Sequence, residues 1–290
     1  LLSRRRLLIR SLFAAPAIVS LKAPAQTKAD AMQSRLAGLE KDHGGRLGVC
    51  VRDVATGRRI AHRAGERFAM CSTFKVLAAA LALTRVDRGE ESLERRIVYA
   101  KERVVANSPE TEKHAGDEGM SLAEICKAAL TLSDNTAANL LLESFGGPPR
   151  LTQFARALGD SATRLDRIET ELNEAKPDDP RDTTTPAAML ANLEKIVLGN
   201  ALSAASRDRM TGWMAANRTG DRRLRAGIPA GWRVADKTGT GGNGQANDIA
   251  VLWPPDRGPI VATVYFAQSP ASDDARDAVI AEVGRLAATM

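Results

Sequence analysis

The chain has 290 residues, of which 44% are hydrophobic and 26% charged, and a formal net charge of +6. That length and composition describe a soluble chain of one large domain or two smaller ones. The positive charge sits at the start: Arg4, Arg5, Arg6, Arg10 and Lys22 fall in residues 1–25 with no acid among them. The rest of the chain holds 36 basic and 35 acidic residues, so net charge gives a nucleic-acid binder no support.

Residues 1–25 read as an export signal, with an amphipathic surface helix as the rival reading. Ser3-Arg4-Arg5-Arg6-Leu7-Leu8 resembles a twin-arginine motif, Ser11 to Leu21 is apolar with small residues, and Ala23-Pro24-Ala25 is a small-x-small cleavage site. No uncharged apolar run of about 20 residues occurs, so a membrane span is not expected and the cleaved protein should be free of the membrane. A helix follows from Lys28 to Lys41, with Met32, Leu36 and Leu39 on one side and His43-Gly44-Gly45 ending it. Arg46 to Val54 alternates as a strand, Ala55-Thr56-Gly57 turns, and Arg58 to Arg63 returns.

Helical spacing then occupies 72–88, 121–131, 134–144, 150–158, 185–198 and 203–215. Strands return at Gly231–Thr238, Asn247–Trp253 and Pro259–Gln268, before an amphipathic helix from Ser272 to Ala288. This order predicts an α+β fold: one five-stranded antiparallel sheet flanked by the terminal helices, with an all-helical domain inserted between strands two and three. The divisions expected are 1–25, 26–63, 64–216 and 217–290.

Cys50, Cys71 and Cys126 are odd in number and form no CxxC, and His43, His62 and His114 lie far apart without HxH or HExxH. No metal site or cofactor is expected, and buried free thiols are.

Four stretches carry chemistry. Met70-Cys71-Ser72-Thr73-Phe74-Lys75 runs into an uncharged helix. Ser72 and Lys75, three apart, project from one face. Burial would lower the lysine pKa towards a state able to take a proton from the serine hydroxyl, itself a weak nucleophile. Taken alone, the same pattern also fits an N-cap serine and a surface lysine. Ser133-Asp134-Asn135 joins two helical segments, where a serine can relay a proton and an asparagine can hold a carbonyl, or where all three serve as a helix cap. Lys237-Thr238-Gly239-Thr240 ends a strand and would suit a substrate carboxylate, or be a solvated strand end. Arg167 opens a polar loop of about 16 residues that Asp182 closes, an Ω-loop tied by that pair, or on composition alone a mobile surface loop. Gly239-x-Gly241-x-x-Gly244 matches a dinucleotide fingerprint, but a strand follows it where a helix is needed, so a hairpin is expected.

Ser72-x-x-Lys75, Ser133-Asp134-Asn135 and Lys237-Thr238-Gly239, in this order, are the motif set of class A β-lactamases and penicillin-binding proteins. With the Arg167–Asn173 loop and its exit Arg181-Asp182-Thr183-Thr184-Thr185-Pro186, residues 28–290 resemble a class A serine β-lactamase. The resemblance implies the serine β-lactamase/transpeptidase fold and hydrolysis of penicillins and cephalosporins in the periplasm. The enzyme would act as a monomer with a β-lactam as its only partner. Ser72 then matches the nucleophile, Lys75 the lysine that activates it, Ser133 the donor to the leaving nitrogen, and Glu169 the carboxylate acting through water. Asn173 matches the residue that holds that water, and Asn135 the one that holds the substrate amide. Lys237, Thr238, Gly239 and Thr240 would line the carboxylate subsite with Arg223 behind it, on a chain whose next strand offers Ala246 where other members have an arginine.

Three positions depart from the family. Thr170 follows Glu169 where many members have a proline after a cis bond. Asn107 stands where an aromatic gatekeeper is usual. Gly241 stands where some carbapenem-hydrolysing members pair a cysteine with the counterpart of Cys71. The alternative is a penicillin-binding D,D-peptidase, which shares the three motifs; Glu169 and Asn173 in a tied loop favour hydrolysis over it. A non-catalytic binding protein on the same fold would not need all these groups.

Overall fold

A computed structural model describes residues 24–290. The expected leader therefore lies outside the described residues apart from Pro24 and Ala25, which open the first helix. That helix, α1 (Pro24–His43), is longer than its apolar spacing predicts. After it come β1 (Arg46–Asp53) and β2 (Arg59–His62). The helical series is α2 (Phe74–Asp87), α3 (Leu122–Thr131), α4 (Asn135–Ser144), α5 (Pro148–Ala157), α6 (Pro186–Leu193) and α7 (Ala204–Ala215). The chain ends with β3 (Arg233–Gly241), β4 (Gln245–Trp253), β5 (Ile260–Ala267) and α8 (Asp273–Ala288).

The five strands form one antiparallel sheet in the order β2-β1-β5-β4-β3. β1 joins the N-terminal hairpin to the C-terminal strands, with Arg46 opposite Ala267 and Asp53 opposite Ile260. β3 is thus an edge strand, and its free edge faces the helical layer. The glycine fingerprint is a hairpin, as its flanking strands require: Gly241 pairs with Gln245 across Gly242-Asn243-Gly244.

Strand alternation divides the core in two. Leu47, Val49 and Val51 of β1, with Ala262, Val264 and Phe266 of β5, face α1 and α8, where Leu36, Val279, Ile280 and Val283 meet them. Cys50, Val261 and Tyr265 face the helical layer. Gly48 permits that close approach, since a Cβ there would lie 2.4 Å from the Phe68 ring and 2.9 Å from Pro186. α2 is buried on almost every side because it packs against α3, α4, α5 and α7.

Helix starts follow ordinary capping chemistry. Ser121 and Glu124 make a reciprocal capping box on α3, Thr185 caps α6 ahead of Pro186, and Ser272 caps α8. The helix expected over 185–198 changes at Glu194 into a π-helical turn reaching Leu198. Two ladders of two residues per strand, Phe68–Ala69 with Thr183–Thr184 and Arg96–Ile97 with Met120–Ser121, have no sequence signal. All three cysteines are buried and free. Among the described residues no helix is long and apolar enough to cross a membrane, and no cluster of potential metal ligands occurs.

Candidate active site

Ser72 lies one turn ahead of α2, in a short 3-10 turn Cys71–Thr73 entered through a left-handed Cys71. It does not cap α2. Its hydroxyl, 7% exposed, is 3.4 Å from Glu169 Oε1. Lys75, one turn along and fully buried, faces the same way. Its ammonium donates to Ser133 O and Asn135 Oδ1, each at 2.7 Å, and pairs with Glu169 Oε1 at 3.0 Å. Three acceptors for three N–H groups complete its shell. Burial pushes its pKa down against the opposing pull of Glu169.

The turn between α3 and α4 brings in the second motif. Asp134 caps α4 through Ala137 N and accepts from the Glu110 and Thr111 amides at 2.9 Å and from the Thr111 hydroxyl, which braces the turn against the 110–111 segment. Ser133, held left-handed beside it, turns its hydroxyl to within 3.0 Å of Lys237 Nζ and 3.5 Å of Lys75 Nζ. The cap reading of this motif holds for Asp134, while Ser133 and Asn135 turn their side chains to Lys237 and Lys75. Asn135 uses Oδ1 on Lys75 and one Nδ2 proton on Ala106 O, leaving one N–H. Asn107 takes the gatekeeper position in a left-handed conformation, and its carbonyl accepts from Asn135 N.

Glu169 comes from the 167–182 segment. Arg167 Nε donates to Asp182 Oδ2 at 2.6 Å, and Asp182 Oδ1 accepts from the Asp166 and Arg167 amides, which ties the two ends together. The Glu169–Thr170 bond is cis although the second residue is not proline. Asn173 Nδ2 donates to Glu169 Oε2, while Asn173 Oδ1 is buried with no hydrogen-bond partner. The β3–β4 hairpin props this segment from the other side: Gly242 N donates to Asn173 O at 2.8 Å and Asn243 Nδ2 to Glu174 O at 3.0 Å.

β3 forms the opposite wall. A Cβ on Gly239 would lie 2.8 Å from Met70 O and 3.2 Å from Ser72 N, so only glycine lets the strand run this close. Lys237 is fully buried, and burial with the Lys75 charge lowers its pKa to about 7. Thr238 meets the hydroxyl of Thr219. Arg223 spans Gly239 O, Asn247 O, Thr240 Oγ1 and Asp277. Ala246 stands opposite Thr240 in the register, so the guanidinium behind this wall comes from Arg223. A Cβ at Gly241 would sit 2.6 Å from Cys71 Sγ, which puts the two expected positions side by side without a second sulfur.

Sequence reasoning missed three polar anchors. Asn139 donates to Glu169 O and accepts from Glu169 N, each at 2.9 Å. It follows Asn135 by four on α4, a same-face spacing that was legible. Asn247 donates to Ala69 O and Met70 O, pinning the Ser72 turn to the sheet, and it is one of three buried polar residues at the start of its strand, with Gln245 and Asp248. Thr219 gives no such signal.

Behind β3, Asp236 and Asp248 are fully buried carboxylates. Asp236 holds Arg225 and Asn217. Asp248 accepts only from Leu224 N, with Oδ1 unpartnered. Burial and then Asp236 push the Asp248 pKa well up. The fold therefore keeps a proton that the unfolded chain releases near pH 4, and stability is lost as pH rises from there towards the raised folded value. Asp248→Asn keeps the acceptor and drops the charge. Its melting temperature should match the parent at pH 4 and exceed it increasingly towards neutrality; a pH-independent gap would mean that Asp248 is ionised in the fold.

A model of the Beta-lactamase enzyme family matches residues 31–289. β-Lactamase L2 of Stenotrophomonas maltophilia is 48% identical over 252 residues, 87% of this chain and 83% of that protein. β-Lactamase OXY-1 of Klebsiella oxytoca is 46% identical over 278 residues, 95% of each. Among solved structures, an ancestral (GNCA) class A β-lactamase superposes with a TM-score of 0.87 at 67% identity, covering 88% of this chain and 98% of that one. A putative class A β-lactamase from Rhodopseudomonas palustris gives 0.88 at 60% identity, covering 90% and 99%.

Proposed function

The chain belongs to class A of the β-lactamase enzyme family, and from that premise we propose that Ser72 opens the β-lactam ring and that Glu169 directs water onto the resulting ester. β-Lactam hydrolysis, and with it resistance to β-lactam antibiotics, is the activity of this family and of this chain. The observation that carries the residue assignment is one carboxylate, Glu169, placed 3.4 Å from the Ser72 hydroxyl and held by Lys75 and Asn173.

In acylation, Ser72 Oγ attacks the lactam carbonyl carbon and its proton passes to Glu169. With its three N–H groups engaged, the Lys75 ammonium has no site for that proton in the resting arrangement, which favours the carboxylate as acceptor. The backbone N–H groups of Ser72 and Thr240 take the oxyanion, each worth roughly 10²–10³ in rate by analogy with other hydrolases. The C–N bond then breaks, Ser133 gives its proton to the nitrogen, and the proton held by Glu169 passes back to Ser133 by way of Lys75, which leaves Glu169 a carboxylate again. In deacylation, water gives a proton to Glu169 and attacks the ester, the C–O bond to Ser72 breaks, and Glu169 returns that proton to Ser72, which leaves as the alcohol. Glu169 Oε1 and the unpartnered Asn173 Oδ1 supply two acceptors for that water.

Lys237, Thr238, Thr240 and Arg223 hold the substrate carboxylate, and Asn135 the side-chain amide. We place the enzyme in the periplasm as a monomer, exported by the twin-arginine leader and built as a helical unit, 64–216, inserted into an α/β unit. Steady-state rates on a penicillin, a cephalosporin and a carbapenem, with mass spectrometry of the adduct, test the assignment. No adduct on the Ser72 peptide would overturn it.

Two results follow from the geometry. As pH rises through about 7, the free enzyme loses the Lys237 charge, so kcat/KM should fall by up to about tenfold per unit. The bound carboxylate raises that pKa, so kcat should fall less. A kcat/KM flat from about pH 6 to 9 would remove Lys237 from carboxylate binding. Asn139→Ala strips both backbone bonds from Glu169 and should lower kcat about 10²-fold with a smaller change in KM. A change confined to KM would contradict the positioning role.

A further inference from the structure

On the far side of the Ser133 turn lies a second cavity of about 460 Å³, which includes none of the residues assigned to the reaction. The last turns of α3 form one wall, the 110–120 loop a second, and the chain after α7 a third. Met120, Ala128, Leu132 and Ala216 make an apolar lining, with Met120 and Ala128 each 3% exposed. Glu110, Glu124, His114, Lys127 and Arg218 stand around it, and their partners differ. The Glu110 carboxylate is taken by Lys113 at 2.9 Å and His114 at 3.5 Å. The Glu124 carboxylate is taken by the Ser121 amide and hydroxyl in the α3 capping box. Lys127 and Arg218, one from α3 and one from the chain after α7, have no carboxylate partner among the described residues. Both are exposed at the rim.

We propose that this cavity binds a small amphipathic monocarboxylate, with its ring or alkyl body on Met120, Ala128, Leu132 and Ala216 and its carboxylate between Lys127 and Arg218. The volume lies within the ordinary range for small-molecule sites, of about 300–1,000 Å³. An apolar lining with two cations at its rim selects such a molecule over an inorganic anion, which gains nothing from the lining, and over a neutral hydrocarbon, which gains nothing from the cations. An amine would meet two carboxylates that already have donors and two cations that repel it. The bound acid would touch the machinery without entering it. Thr131 and Leu132 lead directly into Ser133, Arg218 N donates to Thr131 O at 2.9 Å, and the Glu110 amide donates to Asp134.

The test is a titration of the protein with 1-naphthylacetate, read at the ε-methyl resonance of Met120, with the neutral 1-naphthylacetamide alongside. The expected result is a saturable shift for the acid and weaker binding for the amide. Lys127→Ala with Arg218→Ala should weaken the acid about tenfold. Both side chains are exposed and have no hydrogen bond or ion pair among the described residues. The shift should survive Lys237→Ala, which removes the cation of the reaction cleft. No saturable shift up to about 10 mM acid, equal binding of acid and amide, a shift indifferent to the double substitution, or one abolished by Lys237→Ala would each overturn the proposal.

Discussion

Mixed with a penicillin, Glu169→Ala is expected to stop at a covalent adduct, one penicillin per protein, that persists while the parent enzyme completes many turnovers. The expectation rests on what the carboxylate touches. Glu169 reaches Ser72, Lys75 and Asn173 at once. Removing it takes away the proton acceptor for the hydrolytic water and half of that water's anchorage. Acylation retains a second route: without the Glu169 charge that keeps it protonated, Lys75, whose pKa burial already lowers, can take the Ser72 proton as the neutral amine. Deacylation has no substitute of this kind near the ester. Loss of a positioned general base costs roughly 10²–10⁴ in rate, so deacylation should become limiting and a burst of one equivalent should precede a slow steady state. Mass spectrometry of the intact protein within seconds and again after an hour measures this. Turnover at the parental rate, with no adduct, would end the role given to Glu169.

Ser72→Ala is expected to abolish both the adduct and turnover, with kcat falling on the order of 10⁵–10⁶ by comparison with nucleophile removal in other serine hydrolases. The fold should be untouched. The hydroxyl contacts Glu169 only weakly, at 3.4 Å, and Glu169 keeps Lys75, Asn173 and both bonds from Asn139. The melting temperature should therefore stay within a few degrees of the parent. This separates loss of chemistry from loss of structure. An alanine variant that still forms a stable adduct would put the nucleophile elsewhere.

The parts of this site that could be read from the sequence are those set by local geometry. Ser72 and Lys75 share one helix face, and Ser133, Asp134 and Asn135 share one turn, so their spacing already carries the arrangement. The five strands and their split around the helices were legible for the same reason, since alternation and period are properties of neighbours. Distances across the cleft were not. Lys75 meets Ser133 and Asn135 through the packing of α2 on α4, and Glu169 reaches it from a loop whose path depends on Asn139, Asp182 and the β3–β4 hairpin. The π-helical turn at Glu194–Leu198 has no pattern that separates it from the α-helix it continues. The two-residue ladders are too short for alternation to register. Thr219 sits in a turn whose composition fits any surface loop, and only the approach of Thr238 gives it a place in the site.

The seating of β1 between β2 and β5 has a consequence for the timing of assembly. While the polypeptide is being made, the helices can pack through contacts between near neighbours, but β1 and β2 form only a hairpin, marginal by itself. The partner that β1 lacks is the last strand to be synthesised, with Arg46 waiting for Ala267. Lys237 through Thr240 arrive in that same late portion, so a ribosome-bound chain carries its nucleophile long before it carries the wall that would hold a substrate. Catalytic competence should thus appear abruptly at the end of synthesis, and refolding from denaturant should be limited by this long-range closure and not by the helices.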